Sequence, residues 1–173
     1  MANFSDLISY FEDIARRHVE IGHTDAEKHF FRMEIDEVLA GINRTDAGYP
    51  MLILEGYSFN FTDNRSDNIL KNRSGAFVLM GYVNDVTNYT AIHEQWDYLE
   101  EIVDDILAKI KADKRNPNTP VIRNFDLGSV EVSLIMNEIG NNVGLRVRYQ
   151  LTSPQPLEVN TEKWLPETSN SGS

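Results

Sequence analysis

The residues best suited to chemistry lie in one polar segment between two apolar runs, FTDNRSDNILKNRSGAF at positions 61–77. Its aspartates, Asp63 and Asp67, together with three asparagines, could hold a metal ion. Its cations could bind a phosphate group or an acidic neighbouring subunit; they are Arg65, Lys71 and Arg73. The segment is therefore a candidate for a metal site, a phosphate site or a subunit contact.

The spacing within this segment disfavours calcium and phosphate. A calcium loop of the EF-hand type needs oxygen ligands at alternate positions, a glycine at the sixth and a glutamate at the twelfth. Counting from Asp63, these key positions hold Arg65, Asn68 and Ser74. No glycine-rich turn leads into a helix N-terminus, as a phosphate site requires. Two hypotheses remain for loop 62–75: a solvated loop, or a contact with an acidic copy of the same protein.

Three histidines near the N-terminus suggest a second metal site. Acidic residues lie among His18, His23 and His29, but the histidine spacing matches no zinc-ligand pattern. The sequence favours solvated or capping histidines over metal ligands. His93, at the start of a later helix, is interpreted as a surface residue.

Motifs of the common enzyme classes are missing from the sequence. It has no nucleophile elbow, Walker loop, dinucleotide-binding glycine pattern or zinc-protease motif. Carboxylate pairs such as Glu101 and Asp105 are more simply a solvated helix face than a general acid and base. We therefore expect no catalytic residues, no metal and no cofactor.

Composition limits the possible partners. The chain has 173 residues, no cysteine and a formal net charge of −11. This charge opposes tight binding to DNA or RNA, because phosphates are held by lysine and arginine. An acidic surface can still let DNA slide past without sticking. The sequence has neither a signal peptide nor a membrane-length apolar run, so it predicts a soluble protein.

The hydrophobic periodicity predicts the elements that position these residues. A first helix starts at Phe4, and a capping box at Thr24–Glu27 predicts a second helix through Phe31, Ile35, Val38 and Ile42. Strands in YPMLILEGYSFNF and GAFVLMGYV then flank the long loop 62–75. The third helix carries the buried stripe Ile92, Trp96, Leu99, Val103, Ile106 and Ile110.

The C-terminal third of the chain predicts a hairpin and then an arm. Val130, Val132, Leu134 and Met136 alternate with polar residues, as do Val143, Leu145, Val147, Tyr149 and Leu151, with a turn at Gly140–Asn142. This pattern predicts one buried apolar face and one polar face for both strands. The predicted fold is α+β, an antiparallel four-stranded sheet with helices on one face, in the order α-α-β-β-α-β-β. Residues 1–153 form the predicted single domain, and 154–173 an extended arm whose apolar patch is Trp164 and Leu165.

The arrangement resembles small tail proteins encoded by phages and prophages. The resemblance covers residues 4–153: ISYFEDIARRHVEIGHTDAEKHFFRMEIDEVL, YPMLILEGYSFNFTDNRSDNILKNRSGAFVLM, the acidic helix with its tryptophan, and the C-terminal hairpin. In element order it is similar to the tail terminator and neck-ring proteins of tailed bacteriophages. The resemblance implies a non-enzymatic virion protein, made in the host cytoplasm, that forms a ring, often a hexamer, where head and tail join.

This resemblance gives the candidate residues a role. The expected subunit contacts are Arg65, Lys71, Arg73, Trp164 and Leu165. The expected partners are further copies of the chain and other tail or neck proteins, without a membrane. DNA would pass through the ring without tight binding, and the acidic residues that could line the channel are Glu94, Asp97, Glu101, Asp104 and Asp105.

An alternative from another class is a stand-alone binding module without catalysis. Its sheet face, with Tyr57, Phe59, Phe61 and Tyr82, or its loop 62–75 would hold a ligand or peptide. A metal-dependent enzyme is a more distant third hypothesis. The mass in solution separates the first two, because a ring subunit self-associates and a module stays monomeric.

Overall fold

The computed structural model describes residues 3–32, 47–63, 69–137 and 140–165. Helix α1 spans Phe4–Arg17 and confirms the predicted first helix. It begins with a reciprocal cap: the Asn3 side chain accepts from the Asp6 amide, and the Asp6 carboxylate accepts from the Asn3 amide, both at 2.9 Å. After the helix the chain turns at Gly22, whose φ of +61° is a conformation that glycine adopts without strain.

The predicted second helix is wrong over its described part. Thr24 Oγ1 does accept from the Glu27 amide at 2.9 Å, but the Thr24 amide also donates to the Glu27 carbonyl. These two hydrogen bonds close a local turn. A threonine side chain can make the same bond to a backbone amide in a turn as in a helix cap, so the sequence pattern does not separate the two. The next residues, Lys28–Phe31, form strand β1. The rest of the predicted helix lies outside the described residues.

Strand β1 places consecutive aromatic side chains on opposite sides of the sheet. Phe30 belongs to the large core under the helices, whereas Phe31 packs against a smaller cluster on the other face. A strand alternates its side chains in this way, and a helix does not. Packing on both faces of the sheet therefore outweighs the helical pattern at these positions.

The described part of the sheet has six strands. The order is β1-β2-β4-β6-β5, and β3 also pairs with β4. Strands β1 and β2 are parallel, and the other pairs are antiparallel. The α+β class is confirmed, but the sheet is larger than the four strands predicted, and mixed. The remaining strands are β2 (Ala47–Leu54), β3 (Ser58–Thr62), β4 (Leu70–Tyr82), β5 (Phe125–Asn137) and β6 (Asn142–Pro154).

Most of the described part of the predicted loop 62–75 is strand. Strands β2 and β3 follow the same edge of β4, and their pairing continues to Thr62 opposite Leu70. Between the two strands, residues 55–57 face only two residues of β4, which is the geometry of a β-bulge. The connection therefore shrinks to residues 63–69, of which 64–68 lie outside the described part.

Helix α2 spans Tyr89–Asp113 and confirms the predicted third helix. The aliphatic members of its apolar stripe are all at most 1% exposed, and Trp96 packs partly buried against the same core. With α1, it covers the face of the sheet that presents Phe77, Leu79, Leu145 and Val147. A smaller cluster on the opposite face consists of Met51, Ile53, Val78 and Met80.

Candidate functional site

An exposed apolar surface lies on the β5 edge of the sheet. Val132, Leu134 and Met136, here called the edge stripe, are 46%, 60% and 43% exposed. They pair directly with Val147, Leu145 and Val143 of β6, which are at most 2% exposed. The prediction that both strands of this hairpin bury their apolar residues is confirmed for β6 and wrong for these residues of β5. Helix α2 covers the central strands, and Phe125, Leu127 and Val130 of β5 pack on the same core, but the edge stripe stays exposed.

No described strand pairs with the outer side of β5. In the described part of the sheet β5 is the last strand and is 13 residues long. An edge strand presents a row of unpaired amide and carbonyl groups, and natural proteins usually protect a long one with charge, proline or a covering element. Here the edge carries apolar side chains, so both backbone and side chains can accept another chain.

The C-terminal arm, described over residues 155–165, leaves the sheet after Pro154. The Gln155 amide donates to the Ile69 carbonyl at 2.8 Å, and a short 3-10 turn follows at Thr161–Lys163. Every large apolar side chain of this part of the arm is exposed. The exposed fractions are 58% for Leu157, 74% for Val159, 72% for Trp164 and 92% for Leu165. Trp164 therefore fills no pocket of its own domain, and its contact with another subunit stays a prediction.

The three basic residues that were predicted to make subunit contacts differ in their location and burial. Arg65 lies outside the described residues. Lys71 is a half-buried residue of β4, and its ammonium group lies 3.9 Å from the centre of the Phe59 ring. Arg73 is only 6% exposed and donates to Ser153 Oγ at 3.2 Å. The loop placement is wrong for Lys71 and Arg73, because strand pairing extends through both; their role in a subunit contact stays a prediction.

Five acidic residues of α2 form one exposed stripe, and their role as a channel lining stays a prediction. Glu94, Asp97, Glu101, Asp104 and Asp105 are all exposed and follow the three- and four-residue spacing of a helix face. This acidic stripe lies opposite the apolar stripe on the same helix. One ion pair among the described residues involves it: His18 Nε2 lies 3.6 Å from Asp105 Oδ2. The carboxylates therefore face outward and can repel a polyanion.

The histidines of the N-terminal segment differ from the sequence interpretation. His23 and His29 are 7% and 6% exposed, so they are not solvated. His23 Nδ1 accepts from the His29 amide at 3.1 Å, and His29 Nδ1 lies 3.0 Å from the Pro50 carbonyl. Burial is the main cause that lowers the pKa of His23, followed by the Arg16 charge. His23 therefore connects the turn before β1 to that strand, and His29 connects β1 to β2. Sequence spacing gives no signal of this burial.

The interpretation of His93 as a surface residue is confirmed. His93 is exposed and stacks on Trp96, with ring centres 5.9 Å apart. Within the described ranges, no three His, Asp or Glu side chains converge closely enough to hold a metal ion.

Two buried carboxylates were not predicted. Glu55 is 2% exposed and accepts from Arg146 Nε at 3.0 Å and Nη2 at 2.6 Å. Asp113 accepts from the Tyr10 hydroxyl at 2.9 Å and from Lys109 Nζ at 2.6 Å. Burial, and then the hydrogen bond to Asp113, raise the pKa of Tyr10. Each carboxylate has a cationic partner, so each belongs to a structural ion pair.

Comparison with protein-family models and with curated proteins finds no match for this chain. Neither α-helix within the described ranges combines the length and apolarity that crossing a membrane requires.

Proposed function

We propose that this protein is a structural virion protein of a tailed phage or prophage, assembling as a ring at the head–tail junction or at the end of the tail tube. The observation that supports self-association is the presence of two exposed apolar surfaces on one chain: the edge stripe on β5 and the C-terminal arm. The assignment to a phage particle rests on the sequence resemblance described above.

The two surfaces suit a head-to-tail contact. The edge stripe belongs to the sheet, whereas the arm is a separate extended segment with Leu157 and Val159 two residues apart. Such an arm can add to a free strand edge through backbone hydrogen bonds while alternate side chains pack on the apolar stripe. Contacts between two different surfaces of identical subunits generate rings when the rotation closes.

The length of the arm is compatible with reaching a neighbour. Residues 155–165 would span at most about 36 Å if fully extended, and the turn at Thr161–Lys163 shortens this. Because Trp164 and Leu165 lie at the far end of this described part, they are the residues best placed to anchor on another subunit.

The acidic stripe of α2 has a role in the same proposal. If α2 faces the ring opening, its carboxylates repel the phosphates of passing DNA. The negative net charge of the whole chain acts in the same direction. The ring then lets DNA pass without holding it.

A binding module remains the second candidate because of β3. All residues of β3 are exposed, and Phe59 and Phe61 lie edge to face with ring centres 5.9 Å apart. With the ammonium group of Lys71 beside them, they form a mixed aromatic and cationic surface suited to a peptide. A module of this kind works as a monomer.

Negative-stain imaging of the purified protein at high concentration tests the ring. The proposal predicts closed particles of uniform diameter with a central opening. Small particles of single-subunit size at every concentration would favour the binding module instead.

A further inference from the structure

A cavity of about 590 Å³ lies between the first turns of α1, the ends of β4 and β6, and the 3-10 turn at Pro120–Ile122. Its volume exceeds the space needed by one small ion, and it is open to solvent on one side. The polar residues that line it are Asp6, Ser9, Arg73, Arg123, Asn124 and Ser153.

Arg73 is the residue that makes this cavity unusual. It has the same strand parity as Gly75 and Phe77, so its side chain projects to the face that the helices cover. It is 94% buried (6% exposed), and its Nε atom has no hydrogen-bond partner. The guanidinium group donates to Ser153 Oγ and lies 5.8 Å from the Tyr57 ring centre. No ion pair within the described ranges includes it.

The buried carboxylates show how this chain normally treats buried charge. Glu55 is paired with Arg146, and Asp113 with Lys109. Among the described residues, the guanidinium group of Arg73 has a hydroxyl group and an aromatic ring as its partners, and no carboxylate. Removing an ionic group from water without a counter-charge is costly. An arginine keeps its positive charge in proteins, so it cannot relieve this cost by losing its proton.

We propose that this cavity binds a small oxyanion of the phosphate class, held by Arg73 and Arg123. A guanidinium group offers several N–H donors in one plane, and most of those of Arg73 are unused. Arg123 supplies a second positive charge, and Ser9 and Asn124 supply further polar groups. The Asp6 carboxylate also lines the cavity, but it accepts from the Asn3 amide at the helix cap. The lining therefore has two guanidinium groups against one carboxylate.

The bound oxyanion would connect α1, the sheet and the 3-10 turn, because its ligands come from all three. It would therefore bind the folded state and not the unfolded chain, and so raise the unfolding temperature. This inference is independent of the proposed ring, since it concerns a cavity within one subunit.

Thermal unfolding in inorganic phosphate, compared with sodium chloride at equal ionic strength, tests the proposal. We expect the unfolding temperature of the wild type to rise with phosphate and to saturate. Arg123→Gln should need roughly tenfold more phosphate for the same effect, because a charged hydrogen bond is lost. The matched control is Arg148→Gln on the opposite face of the sheet, where the arginine side chain is 51% exposed. It should respond like the wild type.

Arg73→Met provides a second and sharper variant. It should lose the saturable response to phosphate, and in phosphate-free buffer it should be as stable as the wild type or more so, because an uncompensated charge has been removed. Phosphate also stabilises proteins by exclusion from their surface. An equal rise in all four proteins, or a wild-type rise no larger than in chloride, would overturn the proposal. If Arg73→Met does not fold, the phosphate responses of Arg123→Gln and Arg148→Gln are compared instead, and equal responses would overturn the proposal.

Discussion

Strands β5 and β6 form one hairpin with the same alternation of apolar and polar residues, yet they have opposite environments. Leu145 in β6 and Leu134 in β5 are direct cross-strand partners, and they are 2% and 60% exposed. Alternation determines which side chains share a face, but the position in the sheet determines whether that face is covered. The exposed half of the hairpin is therefore the better candidate for contact with another chain.

The largest expected effect is the difference in unfolding free energy between alanine variants of these two leucines. Leu145→Ala should cost about 2–5 kcal/mol of unfolding free energy, because it leaves a cavity in the core. Leu134→Ala should stay within about 0.5 kcal/mol in the monomer, as surface substitutions usually do. Chemical denaturation at low protein concentration measures both. Equal costs would show that something covers the edge stripe within the monomer.

Trp164→Ala extends the comparison to the arm. We expect a loss of about 2 kcal/mol or more in self-association, as for aromatic anchors at interfaces. The unfolding temperature of the monomer should not change, since Trp164 is 72% exposed. A monomer that loses several degrees while assembly is intact would assign the tryptophan to its own domain.

A smaller effect is expected when the acidic stripe is neutralised, and the measured quantity is binding to duplex DNA. The wild type should show no binding to duplex DNA at physiological salt, where non-specific affinities are typically about 10⁻⁴–10⁻⁶ M. Neutralising the stripe with Gln and Asn should raise DNA association more than neutralising five exposed carboxylates elsewhere. The matched control set is Asp25, Glu27, Glu131, Glu158 and Glu162. A micromolar, salt-sensitive complex of the wild type would contradict the proposed role.

The smallest effect concerns the opposite edge of the sheet, where His23 accepts a hydrogen bond from β1. Burial holds its folded-state pKa below the ordinary value of 6.5. Between these two pKa values the unfolded chain binds more protons than the folded one, so stability should fall as the pH drops below about 6.5. His23→Asn should flatten this part of the pH profile. Denaturation midpoints measured across this range check it, and an unchanged slope in the variant would assign the pH dependence to other groups.

Local patterns predicted the elements whose packing follows from their own sequence. The stripe on α2 and the alternation of β6 are examples, because each buries one face against a single layer. The prediction failed where contacts with residues distant in the sequence determine the structure. Lys28–Phe31 became a strand because Phe30 and Phe31 pack on opposite faces of the sheet. Arg73 was interpreted as a loop cation because its pairing partners, Phe59 and Leu151, are far away in the sequence.

The candidate site was only partly predictable for the same reason. The sequence identified Trp164, Leu165 and the acidic stripe, since their exposure follows from polar surroundings or helical spacing. It missed the edge stripe, because Val132, Leu134 and Met136 have the pattern of buried residues. Their exposure depends on which strand lies at the sheet edge, and the local sequence does not encode that order.

The mass in solution as a function of concentration, measured by sedimentation for the wild type and Leu134→Ser, tests self-association most directly. The account predicts that the wild type converts from monomer to one closed oligomer of defined mass. Leu134→Ser, with unchanged monomer folding, should need a higher concentration for the same conversion. A wild type that remains monomeric at all concentrations, or an oligomer that Leu134→Ser leaves unaffected, would contradict the edge stripe as the subunit contact.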